Sequence, residues 1–130
     1  MNPNDLLPLK SLRLPIVAPR DTAGLSLSKV SPFPDPEDGD GYSIEWSVGD
    51  GRLTLHAASG GIGDRPPGAR TERFQHPTFG DTRLEIDGDD LGTGWMSEME
   101  SGLPAYSLNG KGVPKERFLQ LAQSLDYLKL

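Results

Sequence analysis

From Tyr42 to Val48 the chain alternates. Tyr42, Ile44, Trp46 and Val48 fall on one side, and Ser43, Glu45 and Ser47 on the other. A two-residue period filled with β-formers predicts a strand with one buried face. Gly49-Asp50-Gly51 supplies a tight turn, and Leu53, Leu55 and Ala57 against Arg52, Thr54 and His56 predict the returning strand of a hairpin. Weaker alternation recurs through Leu25 and Leu27 before it breaks, around Phe74, and through Leu84 and Ile86. It recurs again near Leu91, Trp95 and Met99, and from Leu103 to Leu108. The connections Gly88-Asp89-Asp90 and Ser101-Gly102 are short. They predict an antiparallel meander, because parallel strands need a long crossover.

The period changes at the end of the chain. Pro114 suits a first helical position, and Phe118, Leu121, Ala122, Leu125 and Leu128 then follow at helical spacing. We expect one amphipathic helix over 113–128, with its apolar face on the sheet. At the other end, Pro3, Pro8, Pro15 and Pro19 forbid a long helix, since each interior proline removes a hydrogen bond and clashes with the preceding turn. Residues 1–20 read as an extended, proline-rich arm lying along a sheet edge. The runs 32–41 and 59–70 read as loops on turn chemistry. The expected fold is thus α+β. It is a single domain over 1–130 with an antiparallel sheet of five to seven strands and one C-terminal amphipathic helix.

Composition narrows the function more than the fold. A chain of 130 residues buries about two-thirds of its surface, enough for one core. The net charge of −6 disfavours nucleic acid, whose phosphates need clustered Lys and Arg, and attraction to an anionic membrane surface. The absence of cysteine excludes disulfides, thiolate metal sites and a cysteine nucleophile. No apolar run approaches the roughly 20 residues of a spanning helix, so direct membrane insertion is not expected. The opening MNPNDLLPLK lacks the basic and apolar regions of a signal peptide. With Met1 as native start the chain is expected in the cytoplasm. As a trimmed piece of a longer protein it could come from outside the membrane.

Several segments carry the residue types of a site. Asp87, Asp89, Gly92 and Glu98 match four positions of a calcium-loop template, but Leu91 stands where a fifth oxygen ligand belongs and the flanks read as strands. Asp87, Asp89 and Glu98 therefore make a weak metal candidate, with an acidic hairpin turn as the simpler reading. Asp35, Glu37, Asp38 and Asp40 lack calcium-loop spacing and read as a solvated loop. Ser59–Gly63 is glycine-rich but ends in no phosphate-binding signature. Arg65, Arg70 and Arg73 around Pro66-Pro67 form a basic island in an acidic chain, a candidate contact for an acidic partner. His56 and His76 accompany no nucleophile-elbow motif, and His56 is expected on the outer side of its strand. Trp46 and Trp95 read as core, with a ligand groove as the alternative. No cofactor motif is present, and no catalytic residue is assigned.

The segments LPIVAP, YSIEW, RLTLHAAS, GWMSE and GLPAYSLNGKGVPKERFLQLAQSL follow one another in an order that resembles a bacterial family. These are uncharacterised domains found outside the membrane in anti-sigma-factor-like proteins and lipoproteins. The resemblance is carried by Trp95, Gly102, Tyr106, Leu108, Glu116, Leu119, Ala122, Ser124 and Leu125. Here Trp95 runs into Met-Ser-Glu rather than directly into the turn. The resemblance implies a non-enzymatic regulatory or protein-binding module with another protein as its partner, and names no catalytic residue. Besides a small hydrolase using His56 or His76, two other readings remain beside it. One is a carrier of a hydrophobic ligand, with a pocket lined by Trp46, Phe118 and Leu125. The other is an inhibitor or immunity-type protein for a basic partner.

Overall fold

The computed structural model describes residues 3–35, 39–59, 69–95 and 105–128. Seven strands form one antiparallel sheet: β2 (Leu25–Phe33), β3 (Gly41–Val48), β4 (Gly51–Ala58), β5 (Arg70–His76), β6 (Gly80–Asp87), β7 (Asp90–Trp95) and β8 (Ala105–Lys111). Their order is β2-β3-β4-β8-β7-β6-β5, two meanders joined where β4 pairs with β8. The α+β architecture, the strand count and the single helix near the C-terminal end agree with the sequence reading. Two hairpins, β3–β4 and β6–β7, close through Gly49-Asp50 and Gly88-Asp89. Gly49 has φ 58° and Gly88 φ 62°, while no other residue type in the described chain takes a positive φ. This is the geometry of a two-residue turn with glycine leading, whose twist matches that of the flanking strands.

The second layer covers one face of the sheet. A 3₁₀ helix, Pro3–Leu9, leads to β1 (Ile16–Pro19), and α1 (Lys115–Gln123) leads to β9 (Leu125–Leu128). β1 and β9 pair with each other in a separate antiparallel ribbon. Two expectations are corrected here. The N-terminal arm is not extended throughout: residues 3–9 form a 3₁₀ helix against the edge strand β2, all four residues of β1 are buried, and Leu6, Leu9 and Leu14 join the main core. The helix ends at Gln123 rather than at 128. Leu125 and Leu128 keep helical spacing, but residues 125–128 leave the helix to satisfy their backbone groups on β1, a non-local partner that spacing cannot reveal.

The core is the filled space between these layers. Tyr42, Ile44, Trp46, Leu53, Leu55, Leu84 and Leu108 come from the sheet, and Phe118, Leu121, Ala122 and Leu125 from α1 and β9, all at most 1% exposed. Two tyrosines fix the arm over the sheet. The Val17 amide donates to the Tyr42 hydroxyl at 2.8 Å, and the Tyr42 and Tyr106 hydroxyls donate to the Pro15 carbonyl at 3.4 and 3.2 Å. Burial pushes both phenols upward, so they stay protonated donors across the ordinary pH range. At the edge, Ser28 is an extra residue between the pairs Leu27–Trp46 and Lys29–Glu45. This bulge is the break in alternation seen in the sequence. It returns Val30 to the core side, opposite Ile44.

Candidate functional site

The second face of the sheet has a different character. Ser43, Glu45 and Ser47 on β3, Arg52, Thr54 and His56 on β4, and Ser107, Asn109 and Lys111 on β8 are all half-buried or exposed. In register these make rows. Ser43, His56, Ser107 and Gly94 form one, and Glu45, Thr54, Asn109 and Gly92 the next, which continues to Glu85 and Thr71. A third runs from Ser47 through Arg52 and Lys111 to Asp90. None of these outward residues is a large apolar one. Over β3, β4 and β8 this face is open to water, as an antiparallel sheet covered on one side allows, while Gly92 and Glu85 on it are buried.

The centre of the face is low and its margins are charged. Gly92 and Gly94 on β7 lie beside Asn109 and Ser107 on β8, so short side chains and bare backbone meet there. Around them stand ion pairs: Arg52 with Glu45 at 3.3 Å, Lys111 with Asp90 at 3.8 Å, Arg83 with Glu85 at 3.6 Å and Arg73 with Asp81 at 2.6 Å. A shallow groove of about 630 Å³ opens among Arg52, Thr54, Asp90, Asn109 and Lys111. A second follows the Gly49-Asp50 turn to Asp89 and shares Arg52 and Lys111 with the first. Apart from Arg83–Glu85, whose carboxylate is 7% exposed, these pairs are exposed, contribute little to stability, and can exchange partners at small cost.

The residues singled out from sequence do not converge on one place. Trp46 is fully buried opposite Leu27 and Leu53, so its ring belongs to the core and has no surface to offer a partner. Trp95 ends β7 in register with Tyr106. The side chain of Trp95, and the whole of Arg65 and Glu98, lie outside the described residues. Arg70 and Arg73 lie on the edge strand β5 rather than in a loop, and each is matched by an acid, Arg70 by Glu72 at 3.1 Å and Arg73 by Asp81. Asp87 and Asp89 are exposed residues of a two-residue hairpin turn and its flank. Among the described residues no group of three or more His, Asp or Glu side chains is arranged to hold a metal ion. His56 is exposed on the open face between Ser43 and Ser107, as its strand parity required.

Two polar residues have roles that the sequence did not announce. Asp40 sits in an acidic run that reads as a solvated loop, yet its side chain is 4% exposed. One carboxylate oxygen accepts the Arg13 amide at 2.7 Å and the other the Asp35 amide at 3.0 Å, with the Arg13 guanidinium at 3.4 Å. The Arg13 backbone bond, then its side chain, then the Asp35 amide hold this carboxyl below the ordinary range. His76 is 3% exposed at the end of β5, and its Nδ1 accepts the amides of Thr78 and Phe79. Neither role leaves a mark in residue spacing, because both partners become neighbours only once the chain turns.

Comparison of the chain with family models, curated proteins and solved structures found no match. No helix among the described residues is long and apolar enough to cross a membrane.

Proposed function

We propose that this chain is a non-enzymatic binding module that meets another protein through the open face of its seven-stranded sheet. The observation that carries this reading is the low polar centre of that face, Ser43, Thr54, Ser107, Asn109, Gly92 and Gly94, flanked by exchangeable ion pairs. Hydroxyls and an amide in fixed register can meet the polar groups of a partner, and the flanking charges can set its orientation. The net charge of −6 favours a basic partner, the kind an inhibitor or immunity-type protein would meet. The resemblance to regulatory domains outside the membrane points to the same class of function, and under it the chain would act there.

The carrier reading draws less support. Trp46, Phe118 and Leu125, the residues it would use, are at most 1% exposed and pack into the core. The Phe118 ring lies so close to Gly110 that an added methyl would come within 2.7 Å of it. The test is a cross-linked pull-down of the native-length protein from its own host, repeated with Thr54→Arg and Ser107→Arg. Both substitutions add bulk on the open face without touching the core, so the fold should persist and the partner should be lost. A partner kept by these variants but lost with Arg70→Glu would move the contact to the β5 edge. Turnover of an ester, phosphate or glycoside that disappears with His56→Ala would end the non-enzymatic reading.

A further inference from the structure

His76 is buried where three elements meet. Its Nδ1 accepts two backbone amides of the β5–β6 turn, Thr78 at 2.9 Å and Phe79 at 3.0 Å. Its ring also meets the backbone of Ala122 and Leu125, where α1 ends and β9 begins. An Nδ1 that accepts twice carries no proton, so the neutral ring holds its hydrogen on Nε2. The same corner collects aromatic rings. Phe79 lies 4.7 Å from His76, 6.1 Å from Tyr106 and 5.9 Å from Tyr127. The charged group facing the imidazole is Asp126 on β9, and its carboxylate is engaged by Arg20 at 2.9 Å. The Thr78 hydroxyl ties the turn to the same carboxylate at 3.5 Å.

We propose that His76 is an acid-released latch, which when neutral fastens the β5–β6 turn to the α1–β9 junction and when protonated frees that turn and uncovers Phe79. The chemistry is local. A proton on Nδ1 points at two N–H donors, so both bonds become repulsive contacts at once. The imidazolium is also left in a buried position, and the Asp126 carboxylate beside it is already paired with Arg20. Burial acts in the same direction, holding the ring below its ordinary range, against the smaller raising effects of Ala122, Asp126 and Leu125. Release would add the Phe79 ring, half-buried while the latch is closed, to the already exposed Tyr127, enlarging the surface offered to an apolar partner under acid.

The experiment follows the labelled native protein by NMR from pH 7.5 to 5. It reads the nitrogen shifts of the His76 ring together with hydrogen-exchange protection of the Thr78 and Phe79 amides. The expected result is an Nε2–H ring at the upper pH. Protection at Thr78 and Phe79 should then fall by up to about tenfold per pH unit below the ring's ordinary value of 6.5, while the β3–β4 amides lose less of theirs. In His76→Asn, the side-chain oxygen can take the place of Nδ1 as acceptor without titrating, and protection should lose its pH slope. Two wild-type results would each overturn the proposal, whether or not that variant folds: both amides still fully protected at pH 5, or an equal loss of protection throughout the sheet. An equal slope in a folded His76→Asn would overturn it too.

Discussion

The substitution most directly constrained by the packing is at residue 110. Gly110 lies in β8 opposite Leu53 and Leu91, where the pleat directs any side chain into the core, and Phe118 occupies the place a side chain would need. Gly110→Ala brings its methyl within 2.7 Å of one ring carbon and 3.1 Å of another. Phe118 is fully buried and has no free volume to retreat into. The expected cost is about 1–3 kcal/mol, the usual penalty for an extra methylene in a packed core, and a urea titration would measure it. No loss of stability would mean that the helix can slide on the sheet. At this scale the sequence was informative about apolar residues and poor about polar ones. Alternation placed Trp46 inward because its neighbours at 44 and 48 share its parity. Nothing comparable marks Asp40, whose burial depends on an arginine 27 residues earlier.

Elements were legible where the signal is local. The β3–β4 hairpin could be read because alternation and turn chemistry agree within eighteen residues, from Gly41 to Ala58. The break after Leu27 marked a strand with a bulge, which alternation alone reports only as an interruption. Residues 125–128 were misread because Leu125 and Leu128 fit a helix as well as a strand, and the deciding partner, β1, lies more than a hundred residues away. The turn makes a prediction of its own. Gly49 holds φ 58° with open space around the position of a Cβ, so the strain of Gly49→Ala would come from the backbone alone. A residue with a Cβ at positive φ costs about 1–3 kcal/mol, so the variant should be less stable by that amount with an unchanged core. Thermal melts should show the loss. A neutral outcome would mean that the turn can switch to another type.

At the scale of the whole molecule, the open face was legible only as the polar half of each strand's alternation. The strand order that assembles it, with β4 beside β8, could not be read because that pairing joins segments some fifty residues apart. The same assembly governs the response to acid. His76 has its ordinary value of 6.5 lowered, chiefly by burial. In the unfolded chain it therefore binds its proton at a higher pH than in the folded one, and stability rises with pH through that window. Its contribution is fully present above about pH 6.5 and declines on acidification toward the folded value. The carboxylates act lower. Asp40 is held down by the Arg13 backbone bond, Asp21 by Arg117, and Glu72 by Lys115 and then Arg70. Each adds stability above the ordinary carboxylate range of about 4 and loses it as pH falls through the folded value. All four groups thus weaken the fold in the same direction, but in two separate windows. Urea midpoints measured from pH 8 to pH 2 should fall in two stages. His76→Asn should flatten the upper stage and leave the lower, whereas Asp40→Asn should diminish the lower and leave the upper. A single decline below pH 4, unchanged by His76→Asn, would show that the buried imidazole takes no part in acid stability.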